Sequence, residues 1–592
     1  MTSARLPFSH FESLPTSKTL RKAEPVNGPY SVTATLSSLD EILEWQEGRI
    51  EFDYGYYRFV DNPLLCRIQD GLKTHYQLRH CWVYASLKTA AMELMDYLLL
   101  TKPQMTLKLI SDFKAGDPFS LEGSLCGLKT VFAAAGPDDF SALLPFSEAK
   151  DELLVINVRH ALEFLENEVD FLIKAKSLRI PILVISDRFP EKPWPVGMIN
   201  YWVLPLNSEQ QSIQGGAILS NMDRQMAELK GLRMQRGPVL SSRNAAYFLG
   251  EIEAESKAWK DAIIDRLCVL EKARYGFLFP SGMQSITTLL TLVRRPGKAQ
   301  IIAVGHLYTD TYALLTYAKQ RTGDVENIFI GVDEMDQLPA AINEQTAAII
   351  TETITNPLND VPDLEAIVAI AKKHKIPVIV DNTFATPLHC NPLELGVDFV
   401  LHSTTKYFSG KNDHAGGAVL LNDSVVAQTI ANYQSQWGVE LSSLESSILW
   451  QRLEDFEVRM ERFQNNALQV AEFLQRHPGI EKLYFHNFPS HRSYEVSQRI
   501  LTGSGSVMSF TLKRPGMEGL RKFYDAPLQH ILKAPSLGSN QTIVCPYTLL
   551  AHYHEPDEAL EELGLPRYLI RLSVGCEMDI NPVIESLDQA LG

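Results

Sequence analysis

From about Met226 onward, stretches whose apolar residues recur every three to four positions alternate with short apolar runs: AQIIAV (299–304), AAIITE (347–352), IPVIVD (376–381) and VDFVLH (397–402). Short runs that are apolar throughout suit strands covered on both faces, and the helix-period stretches between them suit crossovers. The pattern predicts an α/β fold with a mostly parallel sheet and helices on both faces. From Leu441 to Arg476, residues Leu444, Ile448, Leu453, Phe456, Met460 and Leu468 recur at roughly helical spacing, which predicts one long helix stopped by His477, Pro478 and Gly479. Beyond it, strand runs such as SVMSFTL (506–512) mix with helices and predict a smaller α+β domain.

The first 225 residues repeat these signals in worn form. IPILVISD (180–187) echoes IPVIVD (376–381), and QGGAILSN (214–221) echoes AGGAVLLN (415–422). In this alignment Asp187 stands for Asp381. The expected order is an N-terminal arm (1–35), a degenerate partial copy of the large domain (36–225), the large domain (226–455) and the small C-terminal domain (456–592).

Composition narrows the function. Fifty-five basic against seventy-one acidic residues give a net charge of −16, which disfavours nucleic acid and anionic lipid as partners. No apolar run approaches the ~18 residues that cross a bilayer, so no membrane span is expected. The seven cysteines are scattered without a C-x-x-C pair, which points to a reducing, cytoplasmic setting without structural zinc. His552 and His554 lack a third spaced ligand, so no metal is expected there.

The strongest chemical signal begins at Asp381, which ends an apolar strand. Lys406, in H-S-T-T-K (402–406), follows the next strand. This pair suits pyridoxal phosphate, whose aldehyde needs a lysine and whose pyridine nitrogen needs an acid that keeps it protonated. Ser403 and Thr405 offer hydroxyls for the phosphate, S-G-M (281–283) offers a helix start, and Tyr308 offers a ring for stacking. Taken singly, each is an ordinary cap, turn or surface residue; it is their order on an alternating scaffold that carries the reading.

With F-P-S-G-M-Q-S-I, V-D-N-T-F-A-T-P, H-S-T-T-K-Y and R-L-S-V-G-C-E (571–577) in place, residues 236–592 resemble the Cys/Met-metabolism family of pyridoxal phosphate enzymes. The stretch from 534 to 553 looks most like the long, fungal-type cystathionine γ-synthases. The resemblance implies a fold-type I PLP-dependent transferase in which Lys406 is the Schiff-base lysine, Asp381 the pyridinium partner and Tyr308 the stacking ring. It implies Gly282, Met283, Ser403 and Thr405 as phosphate binders, Arg571 as the fork for the substrate carboxylate, and Asn356 and Ser536 as its helpers. The implied reaction is γ-replacement on an O-acyl-homoserine with cysteine, a step of transsulfuration and methionine biosynthesis. Cystathionine or methionine lyase and O-acylhomoserine sulfhydrylase activities use the same core residues, and a non-catalytic scaffold is the reading from another class. Gln541 and Lys411 depart from a glutamate and a histidine common in the family, which leaves substrate preference open.

The first copy has no lysine where Lys406 should recur, and Ser86-Leu87-Lys88 stands where S-G-M should. It does carry Tyr56 and Arg58 in G-Y-Y-R-F-V-D-N-P (55–63), resembling the family's Y-S-R-x-x-N-P, whereas the second copy has Ser241-Ser242-Arg243 at that place. In the resembled family this tyrosine and arginine reach a neighbouring subunit's phosphate. The expectation is a pseudo-dimer in which the dead copy lends Tyr56 and Arg58 to the live one, within a homo-oligomer. The alternative is a packing or regulatory domain, with Arg243 serving the phosphate.

Overall fold

The structure, a computed structural model, describes residues 19–21, 35–36, 38–47, 49–52, 63–101, 105–111, 113, 130–134, 152–158, 161, 164–165, 169–186, 199–206, 214–238, 240–249, 259–322, 326–553 and 555–592. Tyr56 and Arg58 lie outside these. The chain forms two compact units: the first comprises Met1–Pro15, Asn62–Ser256 and Ala431–Leu444, and the second Thr16–Asp61, Lys257–Ile430 and Glu445–Gly592.

This division differs from the expected boundaries for reasons visible in the cores. The helix Asp223–Arg236 buries Met226, Leu229 and Leu232 among Tyr84, Leu94 and Val203 of the first unit, so the boundary falls after residue 256 rather than 225. Leu36, Leu39 and Ile42, expected in the first copy, are buried with Tyr524 and Ile570 of the second unit, where the Leu36 N–H donates to the Lys533 carbonyl at 2.6 Å.

Two short strands, β1 (Thr19–Arg21) and β2 (Ile50–Phe52), pair in parallel. The first unit then holds seven strands: β3 (His80–Tyr84), β4 (Thr106–Ser111), β5 (Thr130–Ala134), β6 (Glu152–Val158), β7 (Ile182–Ser186), β8 (Tyr201–Pro205) and β9 (Gly216–Ser220). Their order across the sheet is β3-β9-β8-β7-β6-β4-β5, with β9 antiparallel to both neighbours and the other pairings parallel.

The second unit holds β10 (Tyr275–Phe279), β11 (Gln300–Val304), β12 (Ile328–Ile330), β13 (Thr346–Glu352), β14 (Val378–Asp381), β15 (Phe399–Ser403) and β16 (Gly417–Leu421). Their order is β10-β16-β15-β14-β13-β11-β12, again with only β16 reversed. The two seven-stranded sheets therefore share strand order and direction. They also share a terminal detail, since Asn221 accepts from the Arg79 N–H and Asn422 from the Arg274 N–H, each at 2.8 Å. Residues of β6 and β13 are buried without exception, which is why these strands read as continuous apolar runs rather than alternating ones.

The long helix expected over 441–476 is two helices, Ser443–Leu453 and Phe456–Arg476. Asp455 leaves helical geometry (φ −112°, ψ 15°) and its carboxylate pairs with Arg459, whose guanidinium also takes the Arg452 carbonyl. The second helix leads into a five-stranded sheet of β17 (Ile480–Tyr484), β18 (Val507–Leu512), β19 (Leu532–Lys533), β20 (Ile543–Pro546) and β21 (Ile570–Ser573), ordered β17-β18-β21-β20-β19. Among the described residues no helix is long and apolar enough to cross a membrane.

Burial makes two histidines of this second unit poor proton acceptors, pushing His389 down to about 4 and His486 down to about 3 from the usual 6.5. Because their folded values are depressed, their contribution is present above pH 6.5 and is lost as pH falls toward 4 and 3, where the unfolded chain binds protons that the folded one refuses. Denaturant unfolding of the holoprotein should therefore show these two groups withdrawing on the order of 8 kcal/mol of stability across that acid window. His389→Phe should flatten part of the decline.

Candidate active site

The chemistry-bearing residues gather at the carboxyl ends of the parallel strands of the second unit, the place where such sheets bind ligands. β10 ends ahead of Ser281, whose hydroxyl caps the helix Gly282–Val293 by accepting from the Gln284 N–H at 3.1 Å. Gly282 faces Ser403 closely enough that an added Cβ would stand 3.1 Å from the Ser403 Cβ. The Ser403 hydroxyl is buried and has no hydrogen-bond partner among the described residues. A free hydroxyl beside a helix start, with no side chain between, is a cradle for an anion.

Asp381 ends β14. Its carboxylate accepts from the Thr383 N–H at 3.0 Å and the Thr383 hydroxyl at 2.5 Å. Desolvation pushes its pKa above the usual carboxylate value, while the Thr383 bonds and nearby His402 pull it back. Lys406, buried in the turn after β15, donates from Nζ to Ser536 Oγ at 3.2 Å, and that hydroxyl donates to Asn412 Oδ1 at 2.7 Å. Gly538, at φ +68°, lets the Ser536 loop approach, since a Cβ there would meet the Tyr407 nitrogen at 2.9 Å. Arg571 on β21 donates to Asn356 Oδ1 and to the Ser536 carbonyl, each at 3.1 Å. The Tyr308 hydroxyl donates to Asp310 at 2.6 Å.

One cavity is lined by Gly282, Met283, Ser403, Asp381, Lys406 and Arg571, together with Tyr308 and Asn356. Thr405 is not among its lining residues; its hydroxyl is held by the backbone of Gly416, accepting from the N–H at 3.2 Å. Ser536 acts on the cavity through its bonds to Lys406 and Arg571. Tyr56 and Arg58 cannot be placed, because they lie outside the described residues.

Four further residues of this region have no role assigned from sequence. Glu352 ends β13 directly beside Asp381 in the ladder and accepts from the Tyr308 N–H at 2.5 Å and the Asn356 N–H at 3.2 Å. Burial and the neighbouring Asp381 push its pKa well up. The same signal that marked Asp381, an acid closing an apolar run, was present in AAIITE. Thr383, Asn412 and Tyr547 act through contacts that only the folded chain makes.

The site fits pyridoxal phosphate on the structure's own terms: an anion cradle with an orphaned hydroxyl, a half-buried acid at a strand end, a buried amine and a guanidinium face one cavity. The first sheet does not repeat this. Laying the two strand ladders over one another puts Ile185, paired with Asn157 and Val203, where Asp381 pairs with Glu352 and Leu401. It puts Pro205 where Ser403 stands, each opposite a glycine of the reversed strand. Ile185, not Asp187, is thus the counterpart of Asp381, because the echo is in register from its Ile-Pro. The helix Leu87–Thr101 begins with Ser86 capping the Thr89 N–H at 3.0 Å, as Ser281 does. Carbonyl oxygens occupy its start: the Thr89 hydroxyl donates to the Trp437 carbonyl at 2.9 Å and Lys88 to the Ser435 carbonyl at 3.4 Å. Gly438, at φ +63°, comes so near that a Cβ would stand 2.4 Å from Ser86 Oγ.

Residues 257–592 match the sequence model of a family described as Cys/Met metabolism PLP-dependent enzyme. The cystathionine β-lyase of Lactococcus lactis subsp. cremoris (strain MG1363) is 33% identical over 332 residues, covering 56% of this chain and 86% of that protein. The cystathionine γ-lyase of Bacillus subtilis (strain 168) is 34% identical over 322 residues (54% and 83%), and the cystathionine γ-synthase of Mycobacterium leprae (strain TN) 34% over 325 residues (55% and 82%). A crystal structure of cystathionine γ-synthase from Xanthomonas oryzae pv. oryzae superposes with a TM-score of 0.53 at 28% identity, covering 56% of this chain and 85% of that one. With the fold, the cavity and these relatives in agreement, the chain belongs to the Cys/Met-metabolism family of enzymes that depend on pyridoxal phosphate.

Proposed function

We propose that the chain catalyses γ-replacement on an O-acyl-homoserine, with cysteine as the incoming thiol and cystathionine as product. The observation that carries the reading is the double role of Ser536, which receives the Lys406 amine on its hydroxyl and the Arg571 guanidinium on its carbonyl. Base and carboxylate fork are thereby fixed to one residue. Ser536 lies in the stretch 534–553 that resembles the γ-synthases, which favours replacement over elimination.

When bound, pyridoxal phosphate supplies an electron sink for the carbanion at the substrate α-carbon. The residues of the chain do the rest. Each terminal nitrogen of Arg571 carries a second N–H beyond those given to Asn356 and Ser536, and these two grip the substrate carboxylate as a fork. Lys406, held by Ser536, takes the α-proton as a general base, passes it on, then takes a β-proton, and protons return to both carbons once the new bond has formed. Asp381 would keep the pyridine nitrogen protonated, Tyr308 would offer its ring to the cofactor, and Ser403 with the Gly282–Met283 helix start would hold the phosphate. The γ-carbon–oxygen bond breaks with its electron pair leaving on the acyl carboxylate, and the cysteine sulfur, having lost its proton to solvent, forms the new C–S bond.

The test is to incubate the yellow holoprotein with cysteine and O-succinyl- or O-acetyl-homoserine and identify products by mass spectrometry. Cystathionine formed only when both substrates are present is the expected result. Pyruvate or 2-oxobutyrate from a single amino acid would move the assignment to the lyases, and product from sulfide but not cysteine to the sulfhydrylases.

The common strand order of the two sheets favours a second reading: we propose that the first unit is a decayed copy of the second and that Tyr56 and Arg58, in the segment just before Asn62, serve the live site's phosphate. Tyr56→Phe and Arg58→Ala should then weaken cofactor affinity and turnover, and normal values for both would remove this reading.

A further inference from the structure

Tyr547, the first residue of the helix Tyr547–Ala551 after β20, is buried, and the sequence assigns it no role of its own within the stretch 534–553. Its hydroxyl oxygen lies 3.0 Å from Asn356 Nδ2 and 3.1 Å from Thr309 Oγ1. Its ring faces the Arg571 guanidinium, whose central carbon stands 4.9 Å from the ring centroid. Three separate contacts thus join one side chain to the fork, to the amide that holds the fork, and to the residue beside the stacking tyrosine.

Donor and acceptor rules give this cluster a direction. Arg571 can only donate, so the Asn356 atom facing it at 3.1 Å is the carbonyl oxygen. The amide nitrogen of Asn356 therefore points at Tyr547 and donates to its oxygen. The Tyr547 proton is then free for Thr309 Oγ1. Burial pushes the phenol up to about 12, which keeps that proton in place. The ring below the guanidinium adds a cation–π contact and shields it from water on that side.

We propose that Tyr547 is a positioning residue for the substrate-carboxylate fork: its hydroxyl fixes the orientation of the Asn356 amide, and its ring fixes the plane of Arg571. The proposal rests on the reading of Arg571 as the group that binds the substrate carboxylate. It predicts a split between binding and turnover, because neither contact reaches the amine that moves protons.

Steady-state kinetics of the holoenzyme test this with Tyr547→Phe, which keeps the ring, Tyr547→Leu, which removes it, and Arg571→Lys as reference. Tyr547→Phe should raise KM for the acylated amino acid about fivefold with kcat changed by less than about twofold. Tyr547→Leu should raise it about thirtyfold, and the cofactor absorbance of both should match the parent. If Arg571→Lys raises KM and Tyr547→Phe does not, the role of Tyr547 is refuted while the fork stands. If Arg571→Lys leaves KM unchanged, the fork assignment fails and the proposal with it. Should Tyr547→Leu not fold, Tyr547→Phe alone decides.

Discussion

Lys406→Ala is expected to give a colourless protein whose turnover has fallen more than about a thousandfold. Lys406 lines the cavity with its amine tied to Ser536, so on the proposed reading its removal would take away both the covalent anchor for the cofactor aldehyde and the base that draws protons from the substrate. The first unit supplies no substitute, because Ile185 and Pro205 stand where the acid and the hydroxyl would be. Absorbance titration should accordingly find one pyridoxal phosphate per parent chain and no covalently held cofactor in the variant, with the melting curve of the apoprotein unchanged. Yellow colour retained at parental turnover would place the anchor on a different lysine.

Asp381→Asn should keep the colour yet lower kcat about a hundredfold or more. The amide retains an oxygen for the Thr383 N–H and hydroxyl, so the local turn survives. It carries no charge to hold the pyridine nitrogen protonated. In the protein alone, desolvation raises the Asp381 carboxyl; a cationic ring nitrogen at hydrogen-bond distance works in the opposite sense and favours the ionised acid. Turnover of the parent should therefore drop on the acid side as this carboxylate takes up a proton, and the variant should lack that limb. A pH–rate profile of both proteins decides it, and equal kcat would remove Asp381 from the ring nitrogen.

The strands that carry the site are readable because helices cover both sheet faces, so β13, β14 and β15 are mainly apolar, β14 closing directly on Asp381 and the other two reaching Glu352 and Ser403 after one polar residue. Asp381 and Lys406 stood out through their spacing. Thr405 adjoins Lys406 in the same motif, and its hydroxyl meets the Gly416 backbone, a matter of side-chain direction that spacing does not encode. Asn412 and Tyr547 gain their roles from loops far apart in the chain: 124 residues separate Asn412 from Ser536, and 191 separate Asn356 from Tyr547. The break at Asp455 is not legible in the sequence, because apolar positions on either side keep helical spacing through it. The misplaced Asp187 shows the weight of register, since a strand echo aligned on its acid instead of its Ile-Pro moves the assignment by two residues.

The turn at Ser435–Gly438 also limits what substitution could do at the first sheet. The side chains at the start of the helix Leu87–Thr101 are answered by the chain's own carbonyls, and Gly438 stands so near that a Cβ would lie 2.4 Å from Ser86 Oγ. Substitutions such as Leu87→Gly or Ile185→Asp would meet an already satisfied surface, so the asymmetry between the two sheets is not one that single changes undo.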